Sequence, residues 1–244
     1  MMKEDEVLTP FFQPIIDYSA RKIVAFEVLA RWRRAGKWCS PAADFNLHND
    51  VDREMLHFAE MMHKVKMMVR AHADFFAVVD YLSFNININN ADQRVISCCQ
   101  DFLSCGYQGR IMIELNEAQD IAADRAISQL LEKLNGMGVM LALDDFGNGY
   151  LSFITLLRFN FSVIKLDKSL ILNAQQARPK AVIQHLTDLA HELGMQVVAE
   201  GVETLAVAEE LRRINLSLMQ GFCFGKPLSF AEVLSAFGSR MTRH

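Results

Sequence analysis

Eight short runs of β-branched and aromatic residues recur along the chain, and longer segments with helical spacing separate most of them. The predicted strands span residues 11–17, 22–31, 76–87, 110–115, 139–144, 162–167, 196–200 and 217–220. Strands that alternate with helices favour a parallel sheet covered by helices, and a set of eight suits a closed barrel. The 244 residues match the usual length of one such barrel. We therefore predict an α/β fold, a TIM-like (β/α)₈ barrel that forms a single domain over residues 1–244, with a core from about 10 to 238.

Apolar residues spaced three and four positions apart predict the faces by which helices pack on the strands. One such face precedes the third predicted strand, at Met55, Phe58, Met62, Val65 and Val69. Two others follow the fourth strand and precede the seventh, at Leu130, Leu134 and Met137 and at Val182, Leu186, Leu189 and Leu193. Each of these faces is expected to be buried.

The connection between the first two predicted strands is too short for the crossover that parallel strands require. Only a tight turn fits between Asp17 and Lys22, whereas a parallel crossover needs about a dozen residues or more. We therefore expect an antiparallel hairpin and a barrel in which the first strand is reversed. An open doubly wound sheet is the competing architecture, but no GxGxxG motif follows the first strand.

Composition and charge exclude several classes of function. A formal net charge of −4 offers no basic surface for duplex nucleic acid. The N-terminal residues are acidic and contain no apolar signal-peptide core, and no apolar run reaches the roughly 20 residues of a membrane helix. The five cysteines and seven histidines lack zinc-ligand spacing, which predicts reduced, structural thiols. We expect a cytoplasmic protein with no membrane partner.

Polar side chains stand in or directly after seven of the predicted strands. In chain order they are Glu27, Asn85, Glu114 with Glu117, the pair Asp144 and Asp145, Lys165 with Asp167, Glu200 with Glu203, and Gln220. A single acidic residue at a strand end is more often a helix cap or a solvated loop residue. In a barrel, however, the C-terminal strand ends converge on one mouth, where active sites form. The repetition in strand after strand therefore predicts a shared polar site.

Several carboxylates at one mouth require compensating positive charge, because like charges a few ångströms apart repel strongly. Lys165 supplies only one cation. Oxygen ligands without histidine or cysteine select hard ions, so Mg²⁺ or Mn²⁺ is the expected partner. The adjacent aspartates suit two such ions with one carboxylate bridging both, an arrangement that can clamp a phosphodiester and activate water for in-line attack.

Eight motifs in order give the chain a resemblance to one known family. They are Phe12-Gln13-Pro14-Ile15, Glu27-Val28-Leu29-Ala30-Arg31, Phe84-Asn85-Ile86-Asn87, Glu114-Leu115-Asn116-Glu117, Asp144-Asp145-Phe146-Gly147-Asn148-Gly149-Tyr150, Ile164-Lys165-Leu166-Asp167, Ala199-Glu200-Gly201-Val202-Glu203-Thr204, and Gln220-Gly221-Phe222 through Pro227. From about residue 10 to residue 230, the chain resembles the EAL domain family of cyclic di-GMP phosphodiesterases. Val28, Asn116 and Asn148 depart from the usual residues but remove no expected ligand.

The resemblance implies a role for each matching residue. The ligands of a first metal ion would be Glu27, Asn85, Glu114 and Asp144, and a second ion would be shared by Asp144 and Asp145. Catalytic roles would fall to Lys165 and Glu200, which position and activate the attacking water, and to Gln220, which orients them. The substrate contacts would be Gln13, Leu29 and Arg31. The residues that brace the loop after the paired aspartates would be Glu117, Asp167, Glu203, Gly147 and Gly149.

The function that the resemblance implies is hydrolysis of cyclic di-GMP to linear pGpG with two Mg²⁺ or Mn²⁺ ions. Many family members form homodimers, and the sequence leaves the oligomeric state of this chain open. The competing hypothesis is a catalytically weak EAL protein that regulates by binding cyclic di-GMP or a protein partner. Such proteins typically lack a metal ligand or the loop-bracing glutamate, and this chain has them all. An unrelated Mg²⁺ barrel enzyme acting on an enolisable substrate would require the order of motifs to be accidental.

Overall fold

The computed structural model describes residues 7–34, 36–40, 50–116, 124–147 and 153–241. The strands are β1 (Leu8–Asp17), β2 (Lys22–Arg34), β3 (Lys37–Cys39), β4 (Tyr81–Ile86), β5 (Arg110–Asn116), β6 (Met140–Phe146), β7 (Val163–Leu166), β8 (Gln196–Ala199), β9 (Leu218–Gln220) and β10 (Leu228–Ser229). The helices are α1 (Val51–Ala71), α2 (Ala73–Phe76), α3 (Gln93–Leu103), α4 (Arg125–Gly136), α5 (Phe153–Arg158), α6 (Lys168–Ile171), α7 (Ala177–Glu192), α8 (Leu205–Arg213) and α9 (Phe230–Met241). Within the described ranges, none of the helices combines the length and the apolar composition needed to cross a membrane.

Eight strands close into a barrel in the order β1–β9–β8–β7–β6–β5–β4–β2, and β2 pairs back onto β1. From β2 to β9, every neighbouring pair in this ring is parallel. The exception is β1, which runs antiparallel to both β2 and β9. The predicted barrel with a reversed first strand is therefore confirmed. The short strands β3 and β10 extend the sheet beyond the ring.

The third predicted strand, 76–87, starts too early along the chain, although its end nearly matches that of β4. Residues 73–76 form helix α2, and β4 begins only at Tyr81. Phe75 and Phe76 are buried in that helix, and the ring of Phe76 stacks on the ring of Phe230 with centroids 5.4 Å apart. Short apolar runs have the same composition in buried strands and in buried helical turns, so periodicity alone could not separate them.

Helices α1 and α4 pack largely as predicted. All five residues of the predicted α1 face are buried, as are Leu130 and Leu134 of α4. Asp50 and Asp124 cap these two helices, because each side chain accepts a hydrogen bond from a backbone amide of the first turn. The helical period was therefore sufficient where one apolar stripe dominates the helix.

The apolar face predicted for α7 and the residue after it is wrong. Three of its four residues are between 36% and 44% exposed, namely Val182, Leu189 and Leu193. The residues that α7 buries are Ile183, Thr187 and Ala190. The apolar pairs Val182–Ile183 and Leu189–Ala190 give the helix two adjacent faces that both carry apolar residues, and packing against the barrel buries Ile183 and Ala190.

The inside of the barrel is divided into an apolar half and a polar half. Near the N-terminal ends of the parallel strands, the interior is filled by buried apolar side chains that include Ala25, Met112, Met140, Ala142, Val163 and Val198. Near the C-terminal ends, the buried side chains include Glu27, Glu114, Asp144, Lys165 and Gln220. An apolar floor excludes water from below, so these polar groups must be compensated by one another or by bound ions.

Gly221 permits a close approach between the ends of β8 and β9. A Cβ atom at this position would lie 2.1 Å from the carbonyl oxygen of Val202 and 2.4 Å from its nitrogen. The amide of Val202 donates to the carbonyl oxygen of Gln220, and the amide of Cys223 donates to that of Val202. Since the close contacts are with backbone atoms, a side chain fits only if the main chain moves. The glycine therefore holds the turn that positions Gln220 at the mouth.

We expect Gly221→Ala to lower the free energy of unfolding by about 1–3 kcal/mol, because the added methyl group overpacks against backbone. The matched control is Gly136→Ala at the end of α4, where no atom lies within 4 Å of the Cβ position apart from those of its chain neighbours and of the helix's own backbone. That control should leave the free energy of unfolding unchanged or raise it by up to about 1 kcal/mol. Urea denaturation followed by circular dichroism measures both variants, and equal stabilities would contradict the predicted clash.

Candidate active site

The ammonium group of Lys165 lies inside the barrel among carboxylates. Lys165 is the third residue of β7, and only 1% of it is exposed. Its Nζ lies within ion-pair distance of four acidic residues: Glu200 at 2.6 Å, Glu114 at 2.8 Å, Asp144 at 3.1 Å and Glu27 at 3.6 Å. The structure therefore brings four of the predicted acidic residues together around the predicted lysine. One positive charge faces four acidic groups, so the cluster is short of positive charge.

Glu27 is held by two amide side chains from other strands. Nδ2 of Asn85 donates to its Oε1 at 2.7 Å, and Nε2 of Gln220 donates to its Oε2 at 2.5 Å. Glu27 and Gln220 are 193 residues apart in sequence and meet because the barrel closes. The residues predicted as a metal ligand, Asn85, and as an orienting residue, Gln220, therefore both hold the Glu27 carboxylate.

The successive residues Asp144 and Asp145 come together in the site because the strand is irregular there. In a regular strand, consecutive side chains point to opposite faces. The pairing of β6 with β7 shifts its register between Leu143 and Phe146, and Asp145 has a φ of 55°. Asp144, Asp145 and Glu200 each offer a carboxylate oxygen, and these three atoms lie within 4.8 Å of one another. The bulge therefore makes two neighbours in sequence into joint members of one candidate ion site.

Burial shifts the pKa values of these carboxyl groups. Burial raises the pKa of Glu200 to about 7 in spite of the opposing charge of Lys165. Burial likewise raises the pKa of Glu114 and of Asp145. For Glu27, burial also favours the neutral form, but the nearby ammonium and the two amide donors outweigh it and lower the pKa. Full ionisation of the cluster at neutral pH therefore requires more positive charge than Lys165 supplies.

The oxygens of the cluster that lack hydrogen bonds fit hard divalent cations. Oε1 of Glu114 and Oε1 of Gln220 are buried and accept no hydrogen bond from any described residue. Oδ1 of Asp144 is 3.1 Å from Nζ of Lys165 but lies outside hydrogen-bonding geometry. Carboxylate and amide oxygens are typical ligands of Mg²⁺ and Mn²⁺. The residues present are therefore suited to ions of this kind.

The three predicted substrate contacts lie on one face of the β1–β2 hairpin, beside Glu27. Gln13 of β1 is opposite Glu27 of β2, and its amide donates to the carbonyl oxygen of Gly225 at 3.3 Å. Leu29 and Arg31 follow Glu27 at two-residue steps along β2, so strand alternation puts them on the same face. All three residues are thus placed on the face that carries Glu27.

The residues predicted to brace the loop after the paired aspartates are placed in different ways. Glu117 and Gly149 lie outside the described residues. Gly147 has a φ of 103°, a conformation that favours glycine. Asp167 is buried and caps α6 by accepting a hydrogen bond from a backbone amide at 2.9 Å. Glu203 is exposed. The effect of these residues on the loop stays a prediction.

Sequence analysis missed two features of this region. Glu200, expected to act on the attacking water, is close enough to the paired aspartates to be a candidate ion ligand as well. Ser83 and Tyr81 precede Asn85 at two-residue steps in β4, and their buried hydroxyl groups have no hydrogen-bond partner among the described residues. Counting back from Asn85 by strand alternation could have identified Ser83 and Tyr81, because it assigns them to the same face as Asn85.

Comparison with known families agrees with this geometry. One family model matches the chain, that of the EAL domain, and the match covers residues 2–227. The chain belongs to the EAL domain family. PdeG of Escherichia coli, named a probable cyclic di-GMP phosphodiesterase, is 28% identical over 243 residues, which cover 96% of this EAL chain and 47% of PdeG. The chain spans between 29% and 57% of the lengths of PdeG and two further curated relatives.

Solved EAL structures share the fold of this EAL chain. The PaMucR phosphodiesterase in complex with c-di-GMP is 25% identical with a TM-score of 0.82, and the match covers 93% of this chain and 94% of that one. BlrP1 of Klebsiella pneumoniae, in a manganese/cy-diGMP complex, is 25% identical with a TM-score of 0.76, and the match covers 93% of this chain and 58% of that one. The barrel with its reversed first strand is therefore the architecture of EAL domains.

We expect the stabilisation of this EAL protein by Mn²⁺ to increase as pH rises from about 5 to about 8. In the metal-free protein, the pKa of Glu200 is raised from 4.5 to about 7. The contribution of Glu200 to the free energy of unfolding is therefore fully present below the pKa that Glu200 has in the unfolded chain. It is lost as pH rises through the pKa that Glu200 has in the folded protein. A divalent ion paired with the ionised carboxylate would offset that loss. The increase in melting temperature on adding Mn²⁺, measured across this pH range by differential scanning fluorimetry, checks the expectation.

Two variants provide the controls for this pH series. Glu200→Gln cannot ionise, so its Mn²⁺-dependent increase in melting temperature should vary less with pH. Asp80→Asn removes an exposed carboxylate just before β4, at the opposite end of the barrel, and should behave like the wild type. A Mn²⁺ effect on the wild type that stays constant with pH would show that Glu200 does not pair with the ion.

Proposed function

We propose that this EAL chain hydrolyses cyclic di-GMP to linear pGpG with two Mg²⁺ or Mn²⁺ ions. The observation that supports the proposal most directly is the gathering of four acidic residues around Lys165 at one barrel mouth. Phosphodiester hydrolysis needs cations beside the phosphoryl oxygens and an activated water, and this set of residues is suited to provide both. The relatives indicate the substrate, because PdeG is named for cyclic di-GMP and the PaMucR complex contains it.

The acidic residues and one amide would hold the two ions. The first ion is assigned to the ligands expected from the sequence, Glu27, Asn85, Glu114 and Asp144. The second ion is assigned to Asp144 and Asp145, and Glu200 is close enough to join them. When bound, the ions neutralise charge that develops on the phosphoryl oxygens and lower the pKa of coordinated water. The barrel contributes by holding the oxygens of distant strands in place.

Lys165 and Glu200 are suited to act on the attacking water. Their Nζ and Oε1 atoms are 2.6 Å apart, so the ammonium fixes the orientation of the carboxylate. As an ionised carboxylate, Glu200 can accept a proton from the attacking water. Lys165 adds positive charge on the side where negative charge develops. Gln220 supports this arrangement by holding Glu27 through a hydrogen bond.

The β1–β2 hairpin would bind the substrate beside the ions. Arg31 is assigned to a phosphate, because its planar guanidinium carries a fixed positive charge and donates two parallel hydrogen bonds. Gln13 and Leu29 are assigned to neighbouring contacts on the same face. A local cation matters here because the chain has a net charge of −4 and the substrate is itself anionic.

Purified protein with Mg²⁺ or Mn²⁺ is expected to convert cyclic di-GMP into pGpG, because the site is suited to clamp one phosphodiester bond at a time. Liquid chromatography separates the two nucleotides, and EDTA should stop the conversion. Nucleotide that stays intact but binds, as measured by isothermal titration calorimetry, would replace this proposal with the competing regulatory function.

Glu27→Ala is expected to reduce kcat by roughly 100-fold or more while the protein stays folded. The substitution removes an assigned ion ligand and leaves the amides of Asn85 and Gln220 without their acceptor. Asp80→Ala, at the opposite end of the barrel, is the matched control and should keep the wild-type kcat. Circular dichroism checks the fold of both variants. A folded Glu27→Ala protein with full turnover would show that the ion assignment is wrong.

A further inference from the structure

β2 continues past the acidic cluster, and the face of the strand that carries Glu27 extends beyond the cluster. Glu27 lies near the middle of β2, and the strand extends well beyond it. Side chains on one face of a strand recur every two residues, so Leu29, Arg31 and Arg33 share the face of Glu27. β1 runs alongside this part of β2, with Phe11 opposite Leu29. The face is therefore continuous with the candidate active site.

The short strand β3 adds Trp38 to this face. Trp38 is opposite Arg33 in the antiparallel pairing of β2 with β3. Its ring meets the ring of Phe11 edge to face with centroids 5.0 Å apart, and the guanidinium carbon of Arg33 lies 5.9 Å from its ring centroid. Both contacts place the indole on the face that carries Glu27. The exposed fraction of Trp38 is 47%, compared with 2% for Trp32.

The indole of Trp38 lies within reach of a nucleotide bound at the acidic cluster. Leu29 is two residues from Glu27 along β2, which is a rise of about 7 Å. Phe11 is opposite Leu29, and its ring centroid is 5.0 Å from that of Trp38. A phosphodiester held at Glu27 would therefore place an attached base close to the exposed indole.

We propose that Trp38, packed against Phe11 and flanked by Arg33, is the platform on which one guanine base of the substrate stacks. This inference rests on the proposed function, since it takes cyclic di-GMP as the ligand. A purine presents a flat π face that stacks on an aromatic ring, and the planar guanidinium of an arginine can also stack on an aromatic face. Arg31 and Arg33 also add positive charge to this face, which suits a ligand with two phosphodiester anions.

The chain contains two tryptophans, which makes the stacking observable by fluorescence. Trp32 is buried, so Trp38 is the tryptophan whose emission should respond to a ligand from solution. We expect cyclic di-GMP to quench the emission saturably in the presence of Ca²⁺, whose looser coordination favours binding over turnover. The quench should disappear in Trp38→Phe, which keeps an aromatic ring at the position. A quench that persists in Trp38→Phe would overturn the platform.

Kinetics test the same platform through the substrate. Trp38→Ala is expected to raise the KM for cyclic di-GMP about tenfold and to leave kcat within about threefold, because the stack holds the substrate away from the reacting atoms. Trp38→Phe should stay close to the wild type. Leu193→Ala removes a side chain of similar exposure, 44%, beyond the end of α7 and should change neither constant. A KM within twofold of the wild type in Trp38→Ala would overturn the platform.

These measurements separate failure of the platform from failure of the proposed function. If Trp38 emission responds to cyclic di-GMP in Ca²⁺ but the nucleotide stays intact with Mg²⁺ or Mn²⁺, the platform is supported and the proposed hydrolysis is wrong. If hydrolysis proceeds with an unchanged KM in Trp38→Ala, the hydrolysis is supported and the platform is wrong. If calorimetry detects no binding of cyclic di-GMP, both are wrong. Loss of a dimer in Trp38→Ala with an unchanged KM, measured by gel filtration, would assign Trp38 to a contact between two copies.

Discussion

The candidate site depends on one buried ammonium group that is outnumbered by the carboxylates around it. Lys165 faces four acidic residues where each uncompensated charge costs roughly several kcal/mol in lost hydration. The barrel offsets this cost in two ways: the charge of Lys165 and two amide donors lower the pKa of Glu27, and burial raises the pKa of Glu114 and Glu200. Divalent ions would remove the remaining imbalance, so the stability of the barrel and the occupancy of the site are coupled.

The reversed first strand provides the surface beside the acidic cluster. Because β1 and β2 form an antiparallel hairpin, β2 stays paired with β1 as it continues past Glu27. A parallel connection would have required a crossover of about a dozen residues or more between the two strands. The hairpin instead leaves one face lined by Leu29, Arg31 and, through β3, Trp38. Glu27, a proposed ion ligand, therefore lies on the same strand as the proposed substrate contacts Leu29 and Arg31.

Local signals predicted most of the fold, and the errors occur where such signals are ambiguous. The eight barrel strands follow from alternating runs, and the reversed first strand follows from the short connection between Asp17 and Lys22. Phe76, the first residue of the third predicted strand, by contrast belongs to a helix before β4, and α7 buries the face of Ile183 rather than the face of Val182. These outcomes depend on the surface that lies opposite, and spacing along the chain carries no information about that surface.

The sequence by itself determined the chemical character of the site, namely which strand ends carry acidic, amide or ammonium groups and which family their order resembles. The tertiary structure decided which of these groups act together. The bulge in β6 brought Asp145 beside Asp144, barrel closure joined Gln220 to Glu27, and the pairing of β3 brought Trp38 to the face of Glu27. Residue types can be read one position at a time, whereas register, bulges and closure arise from contacts between residues far apart in the chain.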